Sequence, residues 1–82
     1  MLNPGELNRI GYALLHRGRV EDAIQVWEFN ASEHPGDWNV HDSLGDGYAA
    51  AGPARAKDAI ASFRRSLELN PQNAHARDKT SS

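Results

Sequence analysis

Apolar positions recur along the chain at helical spacing, in four blocks divided by glycine- and proline-bearing breaks. Leu7, Ile10, Gly11, Leu14 and Leu15 stand at i, i+3, i+4, i+7 and i+8, which predicts one apolar stripe on a helix. Asn3, Pro4 and Glu6 supply its N-cap, a first-turn proline and a capping-box acid, and Gly18 suits a left-handed C-cap. A second helix is predicted from Val20 to Glu33, with Val20, Ala23, Ile24, Trp27 and Ala31 inward. His34-Pro35-Gly36 stops it, because proline cannot continue a helix and disfavours helical geometry just before it. Asp37 caps a third helix with Val40, Leu44, Gly45, Tyr48 and Ala49 inward, ended by Gly52-Pro53. A fourth runs from Ala54 to Leu69, with Ala56, Ala59, Ile60, Phe63 and Leu67 inward, and Asn70-Pro71 ends it. Asn73 follows Pro71 as Asp37 follows Pro35, so it is the expected cap of a short fifth helix from Ala74 to Lys79.

The blocks repeat. Ile10-Gly11 matches Leu44-Gly45, Leu14 matches Tyr48, and Gly18 matches Gly52. Glu21-Asp22-Ala23-Ile24 matches Lys57-Asp58-Ala59-Ile60, Trp27 matches Phe63, Asn30 matches Ser66, and Pro35 matches Pro71 across an interval of 36 residues. From Gly18 to Ala23 is five steps, whereas from Gly52 to Ala59 is seven, so the second copy carries two extra residues in its central turn, within Pro53-Ala54-Arg55-Ala56. Insertions at turns cost little, since loop closure entropy grows slowly with length.

These residues resemble a pair of tetratricopeptide repeats. That family carries a Leu-Gly pair and a later aromatic in its first helix, then a small residue at the inter-helix turn. Its second helix carries Ala, an aromatic four residues on and a further small residue, and ends before a proline. The resemblance covers residues 3 to 73, and departs from the family pattern at Leu14, Asn30, His41 and the insertion. It implies one all-α domain over residues 1–82: tandem antiparallel helix hairpins in a right-handed α-solenoid, four main helices plus a short C-terminal capping helix. Repeat one spans about 3–36, repeat two about 37–72, and 73–82 form a partial cap and tail. The cap is expected to be weak, with only Ala74 and Ala76 as apolar contacts and Thr80-Ser81-Ser82 where the pattern calls for Leu-Gly.

The resemblance also implies a function: a scaffold that binds a protein or peptide on a concave face lined by the first helix of each repeat. The matching positions are Asn8, Tyr12, Leu15 and His16, then Asn39, Asp42, Asp46 and Ala49. This column of amides, carboxylates, an aromatic and an imidazole suits a polar or partly basic peptide. Some family members clamp a peptide's terminal carboxylate with Lys, Arg and Asn. Here Asn8, Arg9 and Tyr12 stand in the first repeat and Asp42, Ser43 and Asp46 in the second, so that basic set is missing.

Charge and chemistry narrow the classes. The formal net charge of −2 argues against a nucleic-acid partner, whose binding surface is usually basic. Residues 1–35 hold three bases and five acids, residues 36–53 three acids and no base, and residues 54–82 six bases and three acids. That asymmetry suits head-to-tail self-association or steering of a partner, and equally a plain solvated face. With no cysteine, disulfides, thiolate nucleophiles and thiolate metal ligation are excluded. No apolar run reaches the ~18 residues of a membrane span, and the first residues lack the features of a secretory signal, so a cytoplasmic setting without a membrane partner is expected.

Of the four histidines, His41 has Asp42 adjacent and Asp46 one turn on, but no metal-ligand motif stands in the sequence. Gly45-Asp46-Gly47 lacks the flanks of a phosphate loop, and Ser43 beside His41 and Asp42 fails as a triad because neighbours on one helix point apart. The reading is therefore a non-enzymatic binding module with no cofactor and no metal. The alternative is a self-associating module, or an appendage of a larger enzyme with no activity of its own, because two repeats leave unpartnered ends.

Overall fold

A computed structural model describes residues 2–81; Met1 and Ser82, the outermost residues of the expected domain, lie outside the described residues. Among the described residues the chain is all-helical, without a strand: α1 (Pro4–His16), α2 (Val20–Glu33), α3 (Trp38–Ala50), α4 (Ala56–Leu69) and α5 (Ala74–Thr80). Helices adjacent in sequence pack together throughout, and α1 also reaches α3.

The starts of the helices follow from local chemistry. Asn3 and Glu6 form the complete capping box at α1, with the Glu6 amide donating to Asn3 Oδ1 at 2.8 Å. Asp37 Oδ1 accepts from the Asn39 amide at the start of α3, and Asn73 Oδ1 accepts from the Ala76 amide at the start of α5. The two second helices share another device: Arg19 pairs with Asp22 at α2, and Arg55 with Asp58 at α4. Each places an aspartate in the first turn, where it meets the positive end of the helix dipole. Gly18 and Gly52 take positive φ (79° and 109°), as the two inter-helix turns require. The insertion forms a turn of 3-10 helix over Pro53–Arg55, so α4 starts at Ala56, two residues later than expected.

Packing repeats in the same register as the sequence. Gly11 lets α2 approach so closely that a Cβ there would sit 2.3 Å from the Trp27 indole nitrogen, and a Cβ on Gly45 would sit 2.6 Å from the Phe63 ring. Trp27 is fully buried, and its far side rests on Gly47 of α3, where a Cβ would lie 2.9 Å away. One indole is thus held between glycines of successive hairpins. Asn30 Nδ2 donates to the Pro4 carbonyl (3.0 Å), and Ser66 Oγ donates to the Trp38 carbonyl (2.8 Å). Pro4 and Trp38 each open the first helix of a pair, so Asn30 and Ser66 make the same bond in each unit.

Four expected inward positions are corrected. Ile10 and Ile60 are about two-fifths exposed, and Ala49 and Ala56 are also exposed. Each hairpin buries a narrower stripe than a helix in a bundle does, because one neighbouring hairpin, not two, covers it. The buried set instead takes in Asn30, Ser43, Ser62, Ser66 and Asn73. The short α5 is better anchored than its two alanines suggest. Ala76 is fully buried, and Asn73 is buried with its Nδ2 donating to Ser66 Oγ (2.9 Å). The His75 ring meets the Phe63 ring edge-on at 5.6 Å.

Candidate functional site

The side chains that converge across the fold come from α1, α3 and α5. Asp42 and Asp46 are one turn apart on α3, so both carboxylates leave the same helix face. Tyr12 of α1 is half-buried and donates its hydroxyl to Asp46 Oδ2 at 2.7 Å. The ring of Tyr12 is held edge-on against Trp27 at a centroid separation of 4.7 Å, so the core fixes the position of the phenol. From the other side, His75 of α5 brings Nδ1 to 2.8 Å from Asp42 Oδ1 and Nε2 to 3.3 Å from Asp46 Oδ1. The imidazole therefore lies between two carboxylates, one facing each ring nitrogen.

The electrostatics follow from partial burial. Burial pushes the Asp46 carboxyl above the ordinary aspartate range, with the Tyr12 hydrogen bond and the charges of His75 and Lys79 acting in the opposite sense. Burial, reinforced by the Asp46 carboxylate, likewise holds the Tyr12 phenol well above the usual tyrosine value. Tyr12 is a neutral hydrogen-bond donor here, and its role toward Asp46 is to orient one oxygen and leave the other facing His75.

The expected site residues separate into two groups. Tyr12, Asp42 and Asp46 come together. Asn8 is half-buried beneath them, its backbone carbonyl accepting from Trp27 Nε1 at 3.4 Å. Leu15 packs against the core, His16 is exposed with its ring 6.4 Å from that of Tyr12, and Asn39 is exposed. Ala49 belongs to a neighbouring apolar groove with Gly52, Pro53, Ile60, Phe63 and Lys79. His41 points away from the cluster, its Nε2 2.8 Å from the Pro35 carbonyl, while the neighbouring Ser43 is buried.

The residue that sequence reasoning missed is His75. A signal for it was present: Asn73 matches Asp37 as a cap, so His75 matches Asn39, which already belonged to the predicted column. Read as a weak cap, the fifth helix offers no site residue by its own apolar pattern.

No protein-family model matches the chain, and no curated protein matches it. Among the described residues, no helix is long and apolar enough to cross a membrane.

Proposed function

We propose that the chain is a tetratricopeptide-like module, two helix hairpins and a capping helix in solenoid order, that binds a polar or basic peptide segment of another protein. The carrying observation is the cluster of Tyr12, Asp42, Asp46 and His75 on the face shared by α1, α3 and α5. Two half-buried carboxylates held in fixed positions make good acceptors for a lysine or arginine side chain, since charge-assisted hydrogen bonds are about twice as strong as neutral ones. The repeated contacts of Gly11 with Trp27 and Gly45 with Phe63 support the repeat reading. The module acts by binding, without a catalytic set of its own, in a cytoplasmic setting.

Fluorescence anisotropy with short labelled peptides tests this. Lysine- or arginine-bearing peptides should bind more tightly than neutral or acidic ones of equal length, and D42N and D46N should each weaken binding by about tenfold, the scale of one charge-assisted bond. Binding that ignores peptide charge and both substitutions would refute the reading.

Self-association is the second reading, and the apolar surface outside this face favours it. Phe29 of α2 is 56% exposed, and an apolar groove lies between α3 and α4 at Ala49, Ile60 and Phe63. Light scattering coupled to size-exclusion chromatography separates the two: a chain that stays monomeric at high concentration leaves the peptide reading alone.

A further inference from the structure

We infer that Asp42, Asp46 and His75 form a divalent transition-metal site of one nitrogen and two oxygen ligands, with Tyr12 as the group that orients Asp46. The three side chains offer one ligand atom each, and these atoms all lie within 4.8 Å of one another. Ligands at the usual ~2.0–2.2 Å from a zinc-like ion stand about 3–3.5 Å apart, so the present arrangement needs only a small closure. His75 Nε2 already stands at that spacing from Asp46, 3.3 Å, while its Nδ1 is at hydrogen-bond distance from Asp42, 2.8 Å. The two nitrogens now face different carboxylates, and a single ion would use only one of them. His75 is the most exposed of the three, with 42% of its side chain open, so its ring has room to turn one nitrogen toward a shared ion. The two carboxylates are held more firmly, with side chains 13% and 23% exposed.

The chemistry of the donor set selects the ion. Imidazole with carboxylates suits zinc, cobalt, nickel or manganese, whereas calcium takes an all-oxygen shell of six to eight ligands. Three protein ligands leave the remaining positions to water or a partner's donor group. The Tyr12 hydroxyl on Asp46 Oδ2 supplies the outer-shell hydrogen bond that ligating carboxylates commonly receive, and it leaves Oδ1 free on the side of His75. A bound ion would also join α3 to α5, replacing the present imidazole–carboxylate contacts with metal–ligand bonds.

Titration of the metal-free protein with Zn(II) and with Co(II) tests the inference. The expected result is one ion per chain, d–d absorption on Co(II) addition, and a chelator-reversible rise in melting temperature. H75A, D42N and D46N should each lower affinity at least about tenfold, and Y12F by about 10–100-fold, as outer-shell changes do. H16A and H41A should bind as the unaltered protein does. The unaltered chain also gives a readout that no folding defect can blur: amide resonances broadened by Co(II) should centre on residues 42, 46 and 75. No binding at millimolar metal, affinity unchanged in H75A, or broadening centred elsewhere would each overturn the site and leave His75 as an internal counter-ion. No peptide enters these titrations, so their outcome is independent of the peptide-binding reading.

Discussion

Replacing Gly11 with alanine adds one methyl group where a glycine meets its neighbour most closely. The new Cβ would lie 2.3 Å from Trp27 Nε1 and Cε2, far inside van der Waals contact, and the indole is fully buried between α1 and Gly47 of α3. Retreat of α1 would open the first hairpin, and retreat of Trp27 would drive it into Gly47 of α3. Overpacking of this kind costs up to about 3 kcal/mol. Alanine regains about 1 kcal/mol of helix propensity over glycine, leaving a net loss of about 2 kcal/mol. In a domain of this size that corresponds to a fall of about 8–16 °C in melting temperature. Gly45→Ala should fall by a similar amount, since its Cβ meets Phe63 at 2.6 Å. Gly36 is the control: a Cβ there meets nothing within 4 Å, and its φ is not positive. Gly36→Ala should be neutral or raise stability by up to about 1 kcal/mol. Thermal and urea unfolding followed by circular dichroism measure all three. If G11A and G45A unfold no earlier than G36A, the close-approach account of the hairpins is wrong.

Three further outcomes follow from the polar contacts. Ser66→Ala removes a second donor to the Trp38 carbonyl and the acceptor for Asn73 Nδ2, leaving the buried Asn73 amide group without that partner. It should cost about 1–3 kcal/mol in urea unfolding and speed amide exchange in α5 more than in α1. Burial and the hydrogen bond to Glu28 push the Tyr48 phenol up to about 12, and Tyr12 is raised too. The folded chain therefore keeps these protons to higher pH than the unfolded chain, whose tyrosines titrate near 10. Stability should be level with respect to these two groups below about pH 10 and fall as pH rises toward 12, by up to about 1.4 kcal/mol per pH unit for each, with Y48F reducing the slope. His75→Ala should lower stability by about 1–3 kcal/mol in metal-free buffer, since it leaves two carboxylates with side chains only 13% and 23% exposed without that partner, and urea unfolding midpoints measure that directly.

The helical architecture was legible because each of its signals is local. Asn3 and Glu6 announce the capping box, Asp37 and Asn73 cap the helices that follow, and Pro35 and Pro71 mark the breaks. The register of the repeat matched Gly11 with Gly45 and Trp27 with Phe63, but that each glycine faces its hairpin's aromatic is visible only in the packing. Burial was less legible. Ile60 reads as a core residue by hydropathy, yet it is exposed because nothing packs on that side of α4. Asn30 and Ser66 read as departures or spacers, yet both are buried, because each completes a carbonyl that opens the partner helix. Gly47 has no role in the repeat pattern, and its reason appears only when Trp27 of the preceding hairpin is placed against it. In the candidate site, periodicity put Asp42 and Asp46 on one face, but the bond from Tyr12 spans 34 residues, and His75 arrives from a short helix in which only the repeat register with Asn39 points to it.

The face shared by α1, α3 and α5 is the proposed working surface. Amide chemical-shift mapping of the unaltered protein with a lysine-bearing peptide tests it most directly. The account predicts saturable shifts concentrated at Asn8, Tyr12, Asp42, Asp46 and His75, and much smaller ones in D46N. Saturable shifts centred on α2 and α4, or no saturable shift for any cationic peptide, would contradict it.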